Sequence, residues 1–209
     1  MPDCGCQITA RNAAERQTLL VLLSINGAMF LAELGAGVVM DSTALIADSL
    51  DMLADMVVYA ISFYAVGRSF YHKHRAAVLS GGFQITLASF VLLDVGQRLF
   101  RGSDPEPLWM MGVAALALGA NSYCLYRIAQ HRRGDVHMRA SWIFTQNDVI
   151  ANAGVILAGG LVLASGSNLP DLVMGVAIAL LVLRGGWQIL HTARRAAMGE
   201  RVEAEGDRR

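Results

Sequence analysis

The chain has 209 residues, 55% of them hydrophobic and only 16% charged, with a mean hydropathy of +0.45, which is too apolar for an ordinary soluble domain. Its 17 basic and 17 acidic side chains cancel to a formal charge of +0, and the basic residues are too scattered between apolar runs to build a continuous face for phosphate backbones, which excludes nucleic acid as a partner. Cys4, Cys6 and Cys124 are too few and too unevenly placed for a disulfide framework.

Residues 1–17 read as a polar N-terminal segment, and no small-residue cleavage site follows a short apolar core, so no removable leader is expected. In this segment Cys4 and Cys6, beside Asp3, offer two thiolates and a carboxylate. They read first as a pair of reduced thiols and second as a partial soft-metal capture site. Apolar runs of about 20 residues, the length that crosses a hydrocarbon core, follow at roughly 18–40, 43–67, 76–100, 108–128, 140–165 and 171–192. The breaks between them are short and carry turn or charged residues, such as Arg101-Gly102-Ser103-Asp104-Pro105 and Gly166-Ser167-Asn168-Leu169-Pro170. The expectation is an all-α, polytopic membrane protein with six transmembrane helices in one bundle over residues 18–192, and a short charged tail at 193–209 that frays.

All of the 17 Lys and Arg residues except Arg98, Arg101 and Arg184 fall in the N-terminal segment, the second and fourth connections, their flanks and the tail. By the positive-inside bias both termini are expected to be cytoplasmic. Small-residue pairs such as Gly81-Gly82 and Gly159-Gly160 would let helix backbones approach closely.

The second run places Asp48, Asp51 and Asp55 inside an apolar helix. At about 100° per residue they share an arc of roughly 60°. One aspartate at mid-bilayer costs about 2.5–3.5 kcal/mol, so three facing lipid as charges would cost roughly 7–10 kcal/mol. They must face the bundle or a water-filled path, and intramembrane carboxylates mark ion pathways. Carboxylates a turn apart can share one cation, and a full ligand set needs a second helix. The fifth run supplies Asp148, with Asn152 one turn on, while Asn147 reads as interhelical hydrogen-bond glue.

The run Ser42-Thr43-Ala44-Leu45-Ile46-Ala47-Asp48-Ser49-Leu50-Asp51-Met52-Leu53-Ala54-Asp55 resembles the second-span signature of the cation diffusion facilitators, and the run ending in Asp148 resembles their fifth-span half-site. The resemblance implies a six-span transporter that exports a divalent metal cation, zinc first and cadmium, cobalt, iron or manganese next, in exchange for protons. It implies no resident cofactor and no enzyme activity, a homodimer built through the helices, and a place in a lipid bilayer, the bacterial inner membrane. Asp51, Asp55 and Asp148 match the family's ligands. Its usual fifth-span histidine position is Phe144, so Asp48, Asn152 or water would have to complete the coordination. An all-oxygen set shifts preference from zinc toward manganese and iron. The family's usual cytoplasmic C-terminal domain is not expected within this sequence.

Other polar residues have plainer readings. His72, His74, His131 and His137 read as solvated, His191 as interfacial, and Asp94 as an intrahelical partner of Arg98. Glu33 and Asn26 share a face of the first span and line or buttress the path, whereas Met52, Met56 and Tyr59 read as packing. Two other functions compete: a membrane metal sensor or partner subunit without transport, and a metal-dependent enzyme acting on lipid head groups. The enzyme reading lacks the Asp-Gly-x-x-Ala-Arg opening before Asp51 and Asp55, and no Arg or Lys sits in the second or fifth span.

Overall fold

A computed structural model describes residues 4–65, 70–129 and 136–206, and every regular element in them is helical. In chain order the helices are α1 (Cys4–Val39), α2 (Thr43–Ala65), α3 (Phe70–Arg101), α4 (Pro107–Ala129), α5 (Val136–Ser165) and α6 (Leu169–Gly206). His131 and the side chains of Cys4, Cys6, His72, His74, His137 and Phe144 lie outside the described residues. Among the described residues, five helices, α1 and α3 to α6, contain a segment long and apolar enough to cross a membrane. The chain is therefore an all-α, polytopic membrane protein.

The remaining expected span, α2, is the one that carries the carboxylates. Its 23 residues rise about 35 Å, enough to cross, but Asp48, Asp51 and Asp55 interrupt its apolar run. The bundle accommodates them by putting α2 in the middle, touching α1, α3, α5 and α6. Ala44, Leu45, Ala47, Met52, Ala54 and Tyr59 on α2 are all buried. The outer helices turn apolar side chains outward instead, among them Leu31, Phe90, Leu116, Leu157 and Trp187, as lipid-facing surfaces require. Helix α6 continues through 193–206, where Ala193, Ala196, Ala197 and Glu200 favour the helix.

Helix α3 packs on α6 where Gly81 meets Gly186. A Cβ on either glycine would stand 2.8 Å from the other's carbonyl oxygen, so the backbones approach as no larger residue allows.

The end of the bundle opposite the termini is tied together by its three connections. Asp41, at φ 52, turns the chain between α1 and α2. Arg98 on α3 donates to the Asp41 carbonyl at 2.7 Å, to its carboxylate at 2.5 Å and to Asp94 at 2.6 Å, including the expected intrahelical pair. The other Asp41 carboxylate oxygen accepts from the Asp104 N–H at 2.9 Å, and Asn168 donates to Ser103 at 2.9 Å.

Beside this clasp, Asp171 from the first turn of α6 caps the start of α2. It accepts from the Ser42 hydroxyl at 2.6 Å, the Thr43 N–H at 2.7 Å and the Ala44 N–H at 3.1 Å. A buried carboxylate there satisfies orphan amides and faces the positive end of the α2 dipole. Asp171→Ala is expected to lower stability by about 2–3 kcal/mol, since it strands buried donors of a charge-assisted set. Thermal unfolding in detergent checks this against Asp104→Ala, which removes an exposed side chain and should cost no more than about 0.5 kcal/mol.

Candidate metal site

Helices α2 and α5 touch in the bundle interior, and there Asp51, Asp55 and Asp148 converge. One carboxylate oxygen from each lies within 4.8 Å of the other two. Asp55 and Asp148 are buried and Asp51 is half-buried. The three acids open onto a cavity of about 260 Å³ whose other walls include Gln84 on α3, Asn147 on α5, and Arg184 and Gln188 on α6. Among the described atoms, Asp148 Oδ2 and Gln84 Oε1 are buried without a hydrogen-bond partner. Asn147, read from sequence as glue, is half-buried on this wall.

Tyr59 fixes the cluster from one side. Its hydroxyl, one turn beyond Asp55, donates to Asp55 Oδ2 at 2.9 Å and lies 2.9 Å from the Thr145 hydroxyl on α5. The ring is fully buried among Leu19, Leu22 and Cys124. Tyr59 thus packs, as its place in the apolar stripe suggested, and also orients a carboxylate.

Asp48 and Asn152 are brought together, but not into this cluster. Asn152 Nδ2 donates to Asp48 Oδ2 at 2.5 Å, and Asn152 Oδ1 accepts from Asn121 Nδ2 on α4 at 3.0 Å. The assignment of oxygen and nitrogen on Asn152 follows from chemistry, because an ionised carboxylate only accepts. With its amide oxygen on Asn121 and its nitrogen on Asp48, Asn152 is committed at both ends. Asp48, Asn152, Asn121 and Glu33 are all buried. Asn26 is buried as well and donates to the Leu22 carbonyl at 2.9 Å.

Sequence reasoning passed over Gln84, Asn121 and Thr145. A signal existed for the first two: Gln84 and Asn121 are amides inside otherwise apolar runs, the same anomaly that drew attention to the aspartates. His191 is exposed, as an interfacial residue would be.

Three carboxylates this close, in an interior with little water, require a cation or protons among them. All the described donors at the cluster are oxygens, a hard set suited to a divalent ion.

With this geometry in view, comparison with known proteins gives a consistent class. The cation efflux transmembrane domain matches residues 19–196, and the chain belongs to that family. It is 26% identical over 189 residues to the metal cation efflux system protein CzcD of Cupriavidus metallidurans, covering 85% of this chain and 60% of that protein. It is 27% identical over 190 residues to the zinc transporter ZitB of Escherichia coli, covering 82% of this chain and 59% of that one. Against the cadmium, cobalt and zinc/H(+)-K(+) antiporter of Bacillus subtilis it is 22% identical over 191 residues, with 84% and 61% covered. The chain thus spans about three fifths of the length of these relatives. Each of these relatives is named for metal transport, and none for an enzyme activity.

Tyr59→Phe keeps the packing and removes the hydroxyl that orients Asp55. Divalent-metal affinity is expected to fall about tenfold, as for other groups that orient a ligand. Isothermal titration with zinc measures it, and an unchanged affinity would reduce Tyr59 to packing alone.

Proposed function

We propose that this protein exports a divalent metal cation across a membrane in exchange for protons, the ion being held by Asp51, Asp55 and Asp148. The observation that carries the reading is the convergence of three intramembrane carboxylates from α2 and α5 on one cavity. Membership of the cation efflux family supports it, as do relatives named for efflux and for zinc transport. Zinc is the first cargo to test; cadmium, cobalt, iron and manganese follow, the last two favoured by all-oxygen ligation. Gln84 offers a neutral oxygen on the cavity wall where Phe144 leaves the family's imidazole missing, and it adds no charge to the three carboxylates.

Proton exchange follows from linkage. Carboxylates must shed protons to bind the ion, so metal and protons compete for the same oxygens. If the bundle rocks so that the cluster faces each side in turn, an inward proton gradient drives the metal outward. The clasp of Arg98, Asp41 and Asp94 closes the end opposite the termini, and the cavity lies on the other side of the cluster. By the distribution of Lys and Arg, the end that bears the termini is cytoplasmic, in a bacterial inner membrane. The helices themselves form the homodimer contact. Binding without flux, as in a sensor or partner subunit, is the second reading, and Phe144 is the residue that favours it.

Reconstituted in vesicles, the wild type is expected to carry zinc or manganese with opposing proton movement, and Asp51→Asn or Asp148→Asn to slow it at least about tenfold. Apparent affinity should weaken as pH falls, by about tenfold per pH unit for each proton displaced. Asp51→Asn flux indistinguishable from wild type would sink the reading.

A further inference from the structure

One turn from the three-carboxylate cluster lies a second polar nest that the cluster does not use. It comprises Glu33 on α1, Asp48 on α2, Asn121 on α4 and Asn152 on α5, each no more than 1% exposed. Helices α1 and α2 run antiparallel in a register set by their contacts: Gly37 abuts Leu45 and Ile46, and Gly27 abuts Met56. Between those points Glu33 stands opposite the turn from Asp48 to Asp51. Asp48 and Asp51 are charged groups near it.

The nest has more acceptors than its own donors reach. Glu33 Oε1, Glu33 Oε2, Asp48 Oδ1 and Asn121 Oδ1 are all buried without a hydrogen-bond partner among the described atoms. Buried polar atoms are nearly always paired, and here the unpaired set consists entirely of acceptors, two of them on one glutamate. A hydrogen-bonding ligand that mainly donates, or a cation, is what such a set accepts. The two carboxylates carry the charge that one divalent ion neutralises, and the Asn121 amide oxygen brings the ligand oxygens onto three helices. Asn121 and Asn152 also hold Asp48 in place through their own hydrogen bonds.

Position gives the nest its role. Asp48 lies three residues, about 4.5 Å, nearer the clasped end of α2 than Asp51, and Asn152 lies four residues, about 6 Å, nearer the same end of α5 than Asp148. Both helices therefore order the groups alike: cavity, three-carboxylate cluster, nest, clasp. We propose that Glu33 and Asp48, with the amide oxygen of Asn121, form a second divalent-cation site, the station that receives the metal from Asp51, Asp55 and Asp148 on its way to the clasped end. The site rests on the transport reading for its role but not for its existence. A path with two adjacent stations lets an ion leave a tight site, because release from the first is capture by the second.

The test loads the full chain in detergent with cadmium-113 chloride and reads its resonances, alongside cadmium flux in vesicles. At saturation the wild type is expected to give two resonances in the oxygen-ligand region. Glu33→Gln should keep the cluster signal, lose the other, and slow flux about tenfold or more, while Glu33→Asp, which retains the charge, should restore the second signal. Both resonances surviving in Glu33→Gln overturns the proposal, as does a change confined to proton release with only one metal bound in wild type. Loss of both signals in Glu33→Gln without recovery in Glu33→Asp also counts against it. A wild type with two resonances but no flux sinks the transport reading and leaves the second site standing.

Discussion

Carboxylates inside a membrane must be shielded from lipid, and in this protein that requirement falls most heavily on one helix. With Asp48, Asp51 and Asp55 on one arc, α2 cannot give that arc to hydrocarbon without large cost. It therefore takes the centre of the bundle, against α1, α3, α5 and α6, and leaves lipid contact to helices whose outer faces carry residues such as Leu31, Phe90 and Leu157. Central placement then brings α5 alongside and with it Asp148. The feature that is most costly to bury is thus the one that organises the fold, and the site is a consequence of the same constraint.

Holding α2 there calls for fixed ends. Asp171 caps its first turn from α6, while Arg98 ties Asp41 to α3 just outside it. These contacts all lie at the end away from the termini, whereas the cavity beside the cluster is lined by residues further along α3 and α6, Gln84, Arg184 and Gln188. A bundle locked at one end and hollow beyond its acidic centre has the asymmetry that alternating access demands of any one state. Opening toward the clasped end would have to break charge-assisted hydrogen bonds, and closing the hollow would have to bring α6 inward; at Gly81 and Gly186 the backbones of α3 and α6 already meet.

Much of this was legible in the sequence, for definite reasons. Helix existence followed from long apolar runs, and Asp51, Asp55 and Asp148 stood out because charge in such runs is rare. The pairing of Asp94 with Arg98 followed from their four-residue spacing. The harder features depend on neighbours that are remote in sequence. Whether Asp48 joins the cluster turns on Asn152, which is held by Asn121 from a fourth helix; the spacing of Asp48 from Asp51 cannot reveal that. Tyr59 read as packing because its ring does pack, and only the meeting with Thr145 exposes the work of its hydroxyl. Nothing local to Asp171 says that it caps a helix 128 residues away in sequence. Polar side chains in the middle of apolar runs, Gln84 and Asn121 among them, were the clue that could have been pressed further.

The central claim is that an ion sits on carboxylates from α2 and α5 with no nitrogen or sulfur ligand beside them. X-ray absorption at the metal edge of the manganese- or zinc-loaded protein tests it directly. The account predicts a first shell of oxygen alone, at roughly 2.0–2.2 Å, that changes in Asp51→Asn and Asp148→Asn. Imidazole or thiolate scattering in that shell, or a signal unchanged when both aspartates are replaced, would contradict it.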